Sequence, residues 1–221
     1  RLRFDGIIFD FDGVLLESEA AGNAHLAELL TELGFPHTIE DALTHYTGLS
    51  GPDFIAAIEA RIGRTLPASF YPRRAVEDAR VLAEGLEEVA GAIAFVGSLP
   101  ADWPKAVASS SSTHWVKTHL AHLGLTAAFG DRVFSGKEHV ARGKPAPDLY
   151  LHAADAIGID IRRTVILEDS IVGVTGAVAS GAHVIGLCAG SHCLPGHAEK
   201  LKALGVHDIA SSFEDVLRLI A

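Results

Sequence analysis

Short apolar runs that break off abruptly into polar, chemically capable residues constrain this chain more than any other feature. The first, Gly6-Ile7-Ile8-Phe9, stops at Asp10-Phe11-Asp12-Gly13-Val14. Rich in β-branched and aromatic residues and closed by a glycine, it reads as a buried strand followed by a turn. Asp10 and Asp12 therefore emerge together where strand becomes loop. Two acids at such a place can hold a cation or divide nucleophilic and acid–base duties.

Three later segments repeat the pattern. Lys105-Ala106-Val107-Ala108 ends in Ser109-Ser110-Ser111-Ser112, and a helical pattern follows with Val116, Leu120 and Leu123 on one face. A serine there is ordinarily a helix N-cap, but the free N–H groups of a helix start can also receive an anion. Gly143-Lys144-Pro145-Ala146-Pro147-Asp148 sets a lysine in a proline-stiffened loop before a helix predicted over about residues 149–157. Thr164-Val165-Ile166-Leu167 is another buried run, ending in Glu168-Asp169-Ser170 with a small-residue helical stretch over 173–182 behind it. All of these polar groups fall on the carboxyl edge of one parallel sheet.

Strand ends carrying Asp-x-Asp, Ser, Lys and Glu-Asp, in that order, resemble the haloacid dehalogenase superfamily, and the resemblance covers nearly the whole chain. Within it the chain is similar to the branch that contains β-phosphoglucomutase and sugar-phosphate phosphatases such as 6-phosphogluconate phosphatase. The resemblance implies an α/β fold: a Rossmann-like parallel-sheet core formed by residues 1–17 and 88–221, with an α-helical cap, residues 18–87, inserted after the first motif. The sequence agrees, since strand signals vanish there and helical periodicities run over 24–33, 54–62 and 76–86. Turn material separates them, Gly34-Phe35-Pro36, residues 48–52 and Leu66-Pro67.

Composition bounds the rest. At 221 residues the chain accommodates a full core plus a small helical subdomain. It is 48% hydrophobic but holds no apolar run near the length of a membrane span and no signal-like start, so neither span nor export is expected. It contains no Met, not even at residue 1, and its first residue is not taken as the native start. The net charge of −10 disfavours nucleic acid and requires a local cation to draw in a phosphorylated substrate. Only two cysteines, Cys188 and Cys193, point to free thiols and a cytoplasmic setting. They lie in Cys188-Ala-Gly-Ser-His192-Cys193-Leu-Pro-Gly-His197, which lacks the paired spacing of a zinc site and reads as a structural loop beside the active edge.

The resemblance also implies roles. Asp10 is the nucleophile that forms an aspartyl-phosphate, and Asp12 protonates the leaving alcohol and then takes a proton from water. Mg²⁺ is the implied cofactor, held by the Asp10 and Asp169 carboxylates and the Asp12 main-chain carbonyl, with Glu168 direct or through water. Ser109, the amide of Ser110, and Lys144 hold the phosphoryl oxygens, while Ser18 belongs to the cap hinge at the edge of the substrate cleft. The implied partner is a small phosphorylated metabolite, a sugar or polyol phosphate; nothing in the sequence addresses oligomeric state.

Rival chemistries weigh less. Dehalogenases of the family lack the second motif acid that Asp12 supplies, and a phosphonatase needs a cap lysine, whereas no lysine precedes Lys105. A phosphomutase pattern places a His ten residues after the first motif and an Arg in the cap, where this chain carries Gly22 and about Gly51. Arg61, Arg64, Arg73 and Arg74 remain candidates for a distal anion. A catalytically silent binding protein on the same scaffold is the alternative outside enzymes, and four complete motifs count against it.

Overall fold

A computed structural model describes residues 1–221. Six strands form one wholly parallel sheet: β1 (Gly6–Phe9), β2 (Lys105–Ser109), β3 (Val133–Ser135), β4 (Thr164–Glu168), β5 (His183–Leu187) and β6 (Asp208–Ala210). Their spatial order is β3-β2-β1-β4-β5-β6. The chain thus starts in the middle, builds outward to one edge, and crosses back over β1 to build the other half. That reversal opens a crevice at the carboxyl ends of β1 and β4, the general place for ligands in such sheets.

Helices on both faces explain the nearly unbroken apolar strands, because a parallel strand is buried on its two sides. Successive residues of β1 serve opposite layers. Ile7 and Phe9 join Val107, Val165 and Leu167 against α5 (Ala92–Ser98), α6 (Thr113–His122) and α11 (Phe213–Ile220). Ile8 joins Ala106 and Ile166 against α8 (Asp148–Ala156) and α9 (Ile171–Ser180). Phe9 meets Phe129 edge-to-face, ring centroids 5.6 Å apart. Removing that ring in Phe9→Ala is expected to destabilise the fold by about 3–5 kcal/mol, measured by chemical denaturation.

Between β1 and β2 the chain forms α1 (Ser18–Glu32), α2 (Ile39–Tyr46), α3 (Gly51–Ile62) and α4 (Phe70–Glu84), which enclose a separate core of Leu26, Leu29, Leu30, Tyr46, Ile58 and Phe70. The segments that leave and re-enter the sheet layer run side by side. Glu17 N–H donates to Glu87 O at 3.0 Å and Val89 N–H to Leu15 O at 2.9 Å.

Several helices depart from the sequence expectations. α2 lies wholly between the predicted helical stretches, held by a capping box in which Thr38 and Asp41 satisfy each other's backbone N–H. α5 is a short helix after the return to the sheet layer, burying Ala92, Phe95 and Val96 on one face. α1 begins at Ser18, well before residue 24, because its first turn has few apolar residues to reveal a period. The remaining short helices are α7 (Thr126–Phe129) and α10 (His197–Ala203).

Candidate active site

The sheet register builds the centre. Phe9 pairs with Leu167, so the residues that follow, Asp10 and Glu168, leave adjacent strands at one level. Asp10 is anchored by its own N–H, which donates to Leu167 O at 3.0 Å. Oxygens of Asp10, Glu168 and Asp169, all buried, lie within 4.8 Å of one another. Lys144 arrives from the loop before α8 with its side chain 3% exposed. Its ammonium donates to Asp10 Oδ1 at 2.9 Å, Glu168 Oε2 at 3.1 Å and Ala108 O at 2.9 Å. The Tyr150 hydroxyl donates to the same Glu168 oxygen at 2.6 Å. Ser109, also buried, ends β2 beside this cluster, and its Oγ accepts from Ser111 N–H at 3.0 Å.

Charge in this pocket does not balance. Burial opposes ionisation of Asp10, but the charge of Lys144 together with hydrogen bonds from Asp169, Glu168 and Lys144 lowers the Asp10 pKa. Burial, and then the charge of Asp10, push Glu168 and Asp169 well above the usual carboxylate range. Burial also works against the charge on Lys144, yet Asp10 and Glu168 raise its pKa. One ammonium therefore faces three buried acids. In addition, Glu168 Oε1 and Asp169 Oδ1 are buried without a hydrogen-bond partner. Orphaned carboxyl oxygens in a dry site are costly, and an oxygen-preferring divalent cation, which would favour the ionised forms of these acids, supplies both the missing partner and the missing positive charge.

Asp12 stands apart from that cluster. Ser18 Oγ donates to its Oδ1 at 2.6 Å, Trp115 Nε1 to Oδ1 at 2.9 Å, and Ser111 Oγ to Oδ2 at 2.8 Å. Burial raises its pKa despite these three donors. Ser18 opens α1, so the cap-side helix and the sheet edge meet on this carboxyl. Ser110 is exposed and its hydroxyl makes no bond, while Ser112 caps α6 through Trp115 N–H at 3.2 Å.

A cavity of about 240 Å³ lies between α1–α4 and the sheet edge, lined by Asp12, Glu19, Tyr46, Arg74, Ser111 and Trp115 among others. Burial, and then the charge of Asp12, lift the Glu19 pKa to about 7. Of the four cap arginines only Arg74 lines this cavity. Its guanidinium is occupied, donating to Gly22 O at 3.1 Å and contacting His25 Nδ1 at 3.0 Å. Arg73 instead pairs with Glu32 at the surface, and Arg64 sits over the Phe35 ring.

Nothing in the spacing of Trp115, Tyr150 or His192 marks them as part of the site. Trp115 and Asp12 are separated by 103 positions. The only cue for His192 and His197 is their place after a strand parallel to the others, which brings the loop to the same edge. His192 Nε2 lies 2.6 Å from Asp169 Oδ2. Cys188 and Cys193 are free thiols, as expected.

The sequence profile described as haloacid dehalogenase-like hydrolase matches residues 7–187. The 6-phosphogluconate phosphatase of Escherichia coli is 28% identical over 195 residues, covering 87% of this chain and 86% of that protein. The fructose-1-phosphate phosphatase of the same organism is 30% identical over 183 residues, covering 83% of this chain and 96% of its own. A hydrolase of Deinococcus radiodurans, crystallised with phosphate and sodium, superposes with a TM-score of 0.82 at 30% identity, over 98% of this chain and 94% of that one. A profile match across β1 to β5, together with acids, lysine and serine gathered at one sheet edge, establishes that the chain belongs to the haloacid dehalogenase-like hydrolases.

Proposed function

We propose that this protein is a Mg²⁺-dependent phosphatase that hydrolyses a small sugar or polyol phosphate through an aspartyl-phosphate on Asp10. That it is a phosphoric monoester hydrolase follows from its family and from relatives that are themselves phosphatases. The observation that carries the covalent step is the Asp10 carboxylate, kept ionised by Lys144 at 2.9 Å at the mouth of the sheet crevice.

Uncatalysed hydrolysis of a phosphate monoester is slow enough that enzymes supply up to about 10²¹-fold, roughly 28 kcal/mol, by positioning and charge neutralisation. Asp10 attacks phosphorus; the bond from phosphorus to the leaving oxygen breaks, and Asp12 delivers a proton to that oxygen. Water then attacks phosphorus, Asp12 takes its proton, and the carboxylate of Asp10 is released with inorganic phosphate. Lys144, Ser109 and the amide of Ser110 hold the phosphoryl oxygens and offset the charge of Asp10. Asp10 and Asp169, the Asp12 carbonyl and Glu168 would hold Mg²⁺, which when bound neutralises charge on the phosphoryl group.

Residues 18–87 act in this reading as a cap that closes over the cavity, with Ser18 at the hinge and α1 and α4 selecting substrate. The cytoplasmic setting is part of the same reading. Hydrolysis is favoured over internal phosphoryl transfer because Arg74 is already engaged and Gly22 offers no side chain. Release of p-nitrophenol from its phosphate ester should require Mg²⁺ and stop with a chelator. A panel of sugar and polyol phosphates should then yield free phosphate, and glucose 1-phosphate should give no glucose 6-phosphate. Predominant isomerisation would replace this reading by a mutase; no turnover with any divalent metal would replace it by a silent scaffold.

A further inference from the structure

The loop between β5 and α10, chemically well endowed yet given no role by the reaction, holds the buried face of Asp169. His192 is 5% exposed, and its Nε2 lies 2.6 Å from Asp169 Oδ2. Its other ring nitrogen, Nδ1, has no partner. As a ligand of a cation the Asp169 carboxylate is ionised and only accepts, so in that state the contact is an Nε2–H donated to Oδ2. From the far end of the loop, His197 Nε2 reaches the backbone carbonyl of the same aspartate. The middle of the loop is tied to the cap entry, where Ser191 N–H donates to Glu17 Oε1 at 3.0 Å.

Space for the imidazole has been made on both sides. A Cβ on Gly190 would stand 2.4 Å from His192 Cε1. At Gly13, whose φ is +86°, a Cβ would stand 2.9 Å from the ring and 2.3 Å from Asp169 Oδ2. Two glycines from separate segments thus leave a slot that the ring fills against the carboxylate. With Oδ2 taken by His192, Oδ1 is the remaining oxygen, buried and unpartnered.

We propose that His192 is a positioning residue for Asp169: its Nε2–H engages Oδ2 and thereby aims Oδ1 at the divalent cation. The inference rests on reading Asp10, Glu168 and Asp169 as the cation's ligands. Groups that orient metal ligands from behind are commonly worth about 10–100-fold in metal affinity.

The test is Mg²⁺ titration by calorimetry of the full, chelator-stripped chain without substrate. His192→Gln keeps an amide N–H near the position of Nε2, whereas His192→Asn offers one only near Nδ1. The Asn variant is expected to bind Mg²⁺ about 10–100-fold more weakly than wild type, and the Gln variant to stay within a few-fold. Both substitutions are small and polar, and a circular-dichroism spectrum identifies a variant that has not folded; His192→Leu, which fills the slot without a donor, then takes its place and is expected to lose affinity like Asn. Wild-type affinity in the donor-less variants, or equal losses in Gln and Asn, overturns the role of His192. Asp169→Asn is the companion control: if it and wild type bind Mg²⁺ alike, the ligand reading itself fails and His192 falls with it.

Discussion

Asp10→Asn is expected to lower kcat by at least about 10⁴-fold with any phosphate ester, because it replaces the attacking carboxylate with a neutral, weakly nucleophilic amide, not merely a group that assists the attack. The fold should survive. Asp10 is one of three carboxylates sharing a single ammonium, and its amide form removes one negative charge while Lys144 keeps Glu168 at 3.1 Å and Ala108 O at 2.9 Å. The change in unfolding free energy should be within about 1 kcal/mol of zero in chelator. Parallel activity assays and urea titrations check the two halves. An inactive but unfolded variant would assign Asp10 a structural role, and near-wild-type turnover would remove it from the chemistry.

Lys144→Met should fail in the opposite manner, losing stability and activity together. Its side chain is 3% exposed and is the only ammonium among three acids, so its loss leaves buried carboxylates without a counterion. Breaking a buried ion pair from one side typically costs about 3–5 kcal/mol. Two consequences separate this from a simple packing defect. The deficit should shrink on adding Mg²⁺, since a ligand bound only by the native state adds about 2.7 kcal/mol at a hundred times its Kd. The gain on adding Mg²⁺ should also exceed that of wild type, where Lys144 already neutralises part of the charge. Denaturation curves with Mg²⁺ and with chelator measure both; an equal Mg²⁺ increment in the two proteins would contradict the charge deficit as its cause.

Particular residues show why some of this architecture could be read from the chain and some could not. The runs at β1, β2 and β4 are legible because strands buried on both faces are apolar nearly throughout, so Asp10, Ser109 and Glu168 stand out where each apolar run ends. Register then does the rest: the pairing of Phe9 with Leu167 brings the two acidic motifs together without any further signal. Lys144 is legible only through its prolines, which mark an aimed loop and not its target.

Tertiary placement decides what the chain order conceals. Trp115 reaches Asp12 because the first turn of α6 overhangs the β1 loop, a fact of packing with no local period. Tyr150 looks like an ordinary inward residue of α8 until Glu168 is found 2.6 Å from its hydroxyl. The cap arginines resolve by helical phase: Arg74 shares a face with Glu77, Asp78 and Val81, all lining the cavity, whereas Arg73 points to Glu32 outside. α2 carries a legible signal in Thr38 and Asp41, but eight residues give too few turns for periodicity to speak.

The central claim is that phosphorus passes through Asp10. A rapid acid quench during single turnover, followed by mass spectrometry of the peptide that contains Asp10, tests it most directly. The account predicts a phosphoryl group on that aspartate, removed by hydroxylamine and absent in Asp10→Asn. Release of phosphate from substrate with no phosphoryl ever found on the protein, at a quench time shorter than one turnover, would contradict it.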